Sequence, residues 1–204
     1  MDGQDYLNQI ATSVRPEKKS RLSLLSSPIF KIIAIGVVLF IIIMIVGSSL
    51  SGSRAGTKDQ AISLKLHIDN TLEVISTYQP RVKSSGLRSS SASLYSVLSN
   101  TSRDLTNVMT EIYEYKSGKE DKKLVNTASL ERDGLEASLS EAMINGILDK
   151  IYASRMAYEI SLITTREANL YNATSNKSLM EILETSYNSL NNLYAEFEEF
   201  SGAK

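Results

Sequence analysis

Between Ile29 and Gly47 the chain reads IFKIIAIGVVLFIIIMIVG, nineteen residues interrupted by a single charge at Lys31. At about 1.5 Å per residue a helix of this length spans roughly 28 Å, close to a hydrocarbon core of about 30 Å. A buried helix of a soluble protein would carry a polar stripe at a 3.6-residue period, and Ile32 to Val46 carries none. The run therefore predicts a transmembrane helix over 29–47, with Ile32, Ile33, Val37, Val38, Leu39, Phe40, Ile41, Ile42, Ile43, Ile45 and Val46 as its lipid-facing anchor. Lys31 sits at the edge, where its stem lies along lipid and its ammonium reaches the headgroups.

From Thr57 onward the pattern changes to helical spacing with polar gaps. Thr57-Lys58-Asp59-Gln60 fits a capping box, and Leu64, Ile68, Leu72 and Ile75 place one apolar face on a first helix that ends near Pro80. A second helix is expected from about Ser89 to Lys116, burying Leu94, Leu98, Leu105, Val108, Met109 and Ile112. Ser117-Gly118-Lys119-Glu120 reads as the box opening a third, with Leu124, Leu135, Leu139, Ala142 and Met143, and Asn145-Gly146 is its stop signal. A fourth carries Ile147, Leu148, Ile151, Tyr152, Met156, Ile160, Leu162 and Ile163 and fades at Tyr171–Thr174. Ser178-Leu179-Met180-Glu181 marks the start of a fifth, with Thr174, Ser175 or Asn176 as alternative caps. Its side chains Leu179, Ile182, Leu183, Leu190, Leu193, Tyr194 and Phe197 form the buried face. Glu196, Glu198 and Glu199 oppose the dipole at its end, which predicts fraying there.

No stretch alternates with period two between hairpin turns. The expected fold class is all-α: an N-terminal transmembrane helix followed by a four- or five-helix up-and-down bundle, because short connections favour antiparallel neighbours. The expected domains are a cytoplasmic disordered tail (1–28), the membrane helix (29–47), a Ser/Gly-rich flexible linker (48–56) and an extracytoplasmic bundle (57–200). Within the tail, Tyr6, Leu7 and Ile10 form one short apolar face, a possible docking peptide for a cytoplasmic partner.

Charge sets the orientation. Residues 1–31 carry five Lys/Arg against three Asp/Glu, and residues 48–204 carry seventeen against twenty. Basic flanks stay on the cytoplasmic side, so the N-terminus is expected inside and the bundle outside a plasma membrane. A cleaved secretory signal is the rival, since GSSLSGSRAG offers small residues; the 28-residue tail and nineteen-residue run exceed the usual signal-peptide dimensions. A pilin-type segment would carry an early acidic residue, which this run lacks. No basic stripe suited to phosphates is visible, which argues against nucleic acid as a partner. The absence of cysteine excludes disulfides, thiolate metal sites, thiol nucleophiles and an N-terminal lipidated cysteine.

Candidate chemistry is sparse. His67 is the only histidine, and it reads as a partly exposed or core-edge residue, since a general base needs a partner group and a pocket. A di-iron bundle site needs two Glu-x-x-His pairs; here Leu64 stands three residues before His67. Phosphate-cradling glycine loops and calcium loops are absent. Glu131/Asp133/Glu136, Glu181/Glu184 and Glu196/Glu198/Glu199 read as solvated faces. No catalytic residue, metal site or cofactor is expected. Nine of the ten tyrosines follow the membrane run; rings at the core boundary with wet hydroxyls account for them, and a protein contact surface is the sharper alternative.

In the tail, Asp5-Tyr6-Leu7-Asn8-Gln9-Ile10-Ala11, followed by Pro16, Lys18 and Lys19, resembles uncharacterised single-pass helical membrane proteins of Saccharibacteria and related candidate-phyla bacteria. The resemblance implies a reduced-genome bacterium and a cell-envelope location, and it brings no activity or site residues with it. The expected function is a non-enzymatic interaction or scaffold module whose partners are the lipid bilayer and another envelope protein or a second copy. The rivals are a ligand-sensing domain relaying to a cytoplasmic partner through the tail, and an envelope hydrolase built on paired carboxylates. The full-length chain is expected to sediment with membranes through alkaline carbonate washing, and deletion of residues 29–47 to release it. Recovery of the intact chain in the soluble fraction would contradict the anchor.

Overall fold

Among the described residues five helices follow one another: α1 (Arg54–Tyr78), α2 (Ser85–Tyr113), α3 (Lys122–Ile144), α4 (Leu148–Ala173) and α5 (Lys177–Ser201), with a short 3-10 turn at Gln79–Arg81 between the first two. The structure, a computed structural model, describes residues 54–202. The tail with Tyr6, Leu7 and Ile10, the apolar run 29–47 and most of the expected linker lie outside the described residues. Among the described residues there is no strand, and no helix is long and apolar enough to cross a membrane.

Side-chain contacts fix the direction of each helix. Lys58 Nζ donates to the Tyr113 carbonyl (3.3 Å) and Ser102 Oγ to Asp69, so α1 and α2 are antiparallel. Ser90 meets Glu196 and Thr101 meets Ser186, so α2 and α5 are antiparallel as well. Helices α4 and α5 pack along each other, and α4 returns against α1. The result is a four-helix ring in the order α1, α2, α5, α4. Helix α3 stands outside it, packed on α1 and α4 rather than on α2, its predecessor. Asn70 bonds the Ala128 carbonyl, Arg132 bonds Glu73 and Tyr78 bonds the Glu136 carbonyl, so α3 runs parallel to α1. The expected up-and-down alternation holds along the chain, but the third helix does not lie beside the second.

This arrangement makes α1 an interior helix. It buries Ala61, Ile62, Leu64, Ile68, Val74 and Ile75, which is more than the single face of Leu64, Ile68, Leu72 and Ile75, because α2, α3 and α4 all pack on it. Tyr152, Met156 and Phe197 are the large, fully enclosed side chains from α4 and α5. Each is worth roughly 1.5–3 kcal/mol of transfer free energy. The Tyr152 hydroxyl, buried with them, shares a hydrogen bond with Ser91 Oγ across the ring, as a buried phenol requires. Tyr78 also bonds inward, whereas Tyr95, Tyr158, Tyr187 and Tyr194 remain about two-fifths exposed.

Helix boundaries depart from the local signals where packing or a better cap wins. Helix α1 starts three residues before Thr57, and the capping-box residues lie within it; Gly56 is already buried. Helix α2 ends at Tyr113, earlier than Lys116, since Glu114 turns left-handed (φ 53°) and Tyr115 folds back into the core. Asp121, not Ser117, caps α3 by accepting from the Lys123 N–H at 2.7 Å. Glu120 instead takes the Gly118 N–H and the Tyr115 hydroxyl. Asn176 caps α5 through the Leu179 N–H (2.9 Å). That helix continues to Ser201, closed by Gly202 at φ 71°, where buried Phe197 and Ser201 hold the turn on which fraying was expected.

Gly134 sits mid-way along α3, and a Cβ there would meet nothing within 4 Å. Gly134→Ala is therefore expected to raise stability by roughly 0.5–1 kcal/mol by removing the backbone entropy cost of an interior helical glycine. Denaturant unfolding checks this, and a lower midpoint would show that α3 is not packed as described.

Candidate functional site

Three features stand out from ordinary packing: a charge cluster centred on α1, a groove between α4 and α5, and an apolar corner where α3 turns into α4. The first overturns the sequence expectation for His67, which is 3 % exposed and wedged between two carboxyl groups. Its Nδ1 lies 3.0 Å from Glu131 Oε2 of α3. Its Nε2 lies 3.0 Å from Glu159 Oε2 of α4, out of line for a well-formed hydrogen bond. Arg166 donates to the other Glu131 oxygen at 2.7 Å.

Burial alone would drive the imidazole towards its neutral form, but the contacts with Glu131 and Glu159 together outweigh it and raise its pKa above 6.5. Burial likewise disfavours the Glu131 carboxylate, yet the His67 and Arg166 partners hold its pKa down at about 2. The space left among His67, Asn70, Thr71, Glu131, Arg132, Leu135 and Glu159 is about 10 Å³, room for a water at most. The cluster joins three helices and admits no substrate. Among the described residues no group of three or more metal-binding side chains is placed to hold an ion.

The groove runs between α4 and α5, with a volume of about 340 Å³, and is lined by Glu167, Ala168, Tyr171, Asn172, Leu183, Glu184, Tyr187 and Asn188. Glu167 is 1 % exposed, and neither of its oxygens has a hydrogen-bond partner of good geometry. Ser186 lowers its pKa a little, but burial dominates and pushes it up to about 8. The carboxyl is thus protonated at neutral pH. Sealed from solvent, it hands no proton to a substrate in this conformation.

At the corner, Met143, Ile144 and Ile147 are 37 %, 80 % and 50 % exposed. Arg81, Lys83 and Lys150 flank a hollow of about 350 Å³ beside them. Asp149, the acid among these bases, accepts the Lys83 and Ser84 backbone N–H groups at 2.9 and 2.8 Å.

Of the carboxylates read as solvated, Glu131 remains about a third exposed, but it also bonds the buried His67 and Arg166. Glu159 and Glu167 were not singled out, although a signal existed: Met156, Glu159, Ile163, Glu167 and Leu170 step by three, four, four and three along one face of α4. Two acids occupy positions that such a stripe reserves for apolar side chains. No known family model, curated protein or solved structure matches the chain.

The pH dependence follows from these groups. His67, with its pKa raised, contributes stability that is complete below its unfolded value near 6.5 and lost as pH rises through the folded value. Glu131 contributes stability present above 4.5 and lost as pH falls towards 2. Glu167, protonated when folded, makes stability fall as pH rises from 4.5 to about 8, by roughly 3–5 kcal/mol at 1.36 kcal/mol per pK unit. Stability should therefore peak near pH 5, and Glu167→Gln should flatten the limb between pH 5 and 8 while leaving the loss due to His67. Chemical denaturation across pH checks this; an unchanged limb in Glu167→Gln would refute the assignment.

Proposed function

We propose that the protein is a membrane-anchored helical-bundle module of the cell envelope that works by binding another protein, with the α3–α4 corner as its docking tip. The observation that carries this is the exposure of Met143, Ile144 and Ile147 within five residues, at a corner flanked by Arg81, Lys83 and Lys150. Exposed apolar clusters with a polar rim mark contact sites, and apolar centres with charged edges set affinity and partner choice respectively. With Asp149 engaged by backbone N–H groups, the flanking charge is basic. The partner this suits is a protein with an apolar knob inside an acidic rim. The anchor reading of residues 29–47 and the envelope location implied by the tail's resemblance support the setting.

A second reading, an extracytoplasmic ligand-sensing domain that relays to a cytoplasmic partner, is favoured by the α4–α5 groove with its buried acid.

A photo-crosslinker at Ile144 of the full-length chain in its native membrane is expected to give one discrete adduct. The adduct should disappear with Ile147→Asp and weaken at least several-fold with Lys83→Glu plus Lys150→Glu. An adduct indifferent to these changes, or one formed with a second copy, whose own tip is basic, would contradict the acidic-partner reading.

A further inference from the structure

The α4–α5 groove combines features that ordinary packing leaves unexplained. Its titratable lining consists of two carboxyl groups and two phenols, with no lysine or arginine. Glu167 and Tyr171 are one helical turn apart on α4, as are Leu183 and Tyr187, and Glu184 and Asn188, on α5, so each pair shares a face. Glu184 and Tyr187 are exposed and Tyr171 half-buried, whereas Glu167 is enclosed. A buried carboxyl without a well-formed hydrogen bond is costly, and packing alone would favour an apolar side chain such as Leu at this position. The Ser186 hydroxyl beside it accepts from Thr101 Oγ1 at 2.9 Å, and its effect on Glu167 is small against that of burial.

We propose that this groove binds a small organic ammonium ion carrying N–H donors, with Glu184 receiving it at the rim, Glu167 accepting its hydrogen bonds from the wall, and Tyr171 and Tyr187 flanking the cation. A volume of about 340 Å³ falls in the range of small-molecule sites. Aromatic faces attract a cation by ring electrostatics, and an N–H donor supplies what the orphaned carboxyl lacks. Entry requires the side chains over Glu167 to turn aside, since its carboxyl oxygens are sealed in the free protein. Since Glu167 is protonated before binding, the ammonium replaces its proton, which leaves for solvent: one cation in, one proton out. The site lies on α4 and α5, away from the α3–α4 corner, so either can fail without the other.

Butylammonium is the probe, titrated calorimetrically into the full-length chain in buffers of different ionisation enthalpy. A carboxyl titrating near pH 8 should release about 0.9 proton per ligand at pH 7, and affinity should rise about tenfold between pH 7 and pH 9. Glu167→Gln, with folding verified by cooperative thermal unfolding, should abolish both the proton release and the pH dependence. Glu184→Gln should weaken binding at every pH while preserving the release. Tetramethylammonium, which has no N–H donor, should bind more weakly than butylammonium. Binding without proton release, binding undiminished in Glu167→Gln, or no binding at millimolar butylammonium would each overturn the proposal.

Discussion

The contact of His67 with Glu131 and Glu159 ties together three helices that sequence neighbourhood alone would not join. One imidazole from α1 faces a carboxyl from α3 on one nitrogen and a carboxyl from α4 on the other. Each group is poorly placed without the others, because burial disfavours the charged imidazolium and the charged carboxylates alike. An intact buried ion pair adds little net stability over an apolar replacement, yet removing one member of a fully buried pair leaves an uncompensated charge and costs about 3–5 kcal/mol. Solvent reduces that cost on the Glu131 side, which is about a third exposed. The cluster therefore acts chiefly as a specification: it makes this seating of α3 far better than a shifted one.

That matters because α3 has little else to hold it. It buries Ala128, Leu135, Leu139 and Ala142, a thin apolar contribution for 23 residues. Its other ties are polar: the Asn70 amide, the Tyr78 hydroxyl, Arg132 to Glu73 and Arg155 to Ser138. The ring of α1, α2, α5 and α4 holds most of the large enclosed side chains. Helix α3 is thus a strap on a core, and its C-terminal end carries the exposed Met143 and Ile144 of the proposed docking tip.

Much of the fold was legible because five amphipathic segments and their stop signals are written locally. The Asn145-Gly146 stop was correct since Gly146 does adopt φ 71°, and most residues assigned to core faces are buried. The exceptions are instructive: Met143, Ile147 and Tyr194 are expected on core faces, yet Met143 and Ile147 emerge at the corner and Tyr194 is exposed on α5. A periodic pattern says that a residue lies on the apolar face but not whether a neighbour arrives to cover it. The His67 cluster was illegible for a similar reason. Its members stand 64 and 92 residues from His67 in the chain, and only the crossing of α3 over α1 and α4 brings them together. Glu159 and Glu167 differ, since their places in the α4 stripe were readable as anomalies.

The most direct test of the account is whether His67 protonation seats α3. Native-state hydrogen exchange of the Glu167→Gln variant, which removes the other group titrating in this range, expressed as protection factors so that the intrinsic pH dependence cancels, would be followed helix by helix from pH 6 to pH 10. The account predicts that amides of α3 between Leu124 and Ile144 lose protection as His67 deprotonates, while α2 and α5 keep theirs until global unfolding. Equal loss in all five helices, or an α3 whose protection ignores pH, would contradict it.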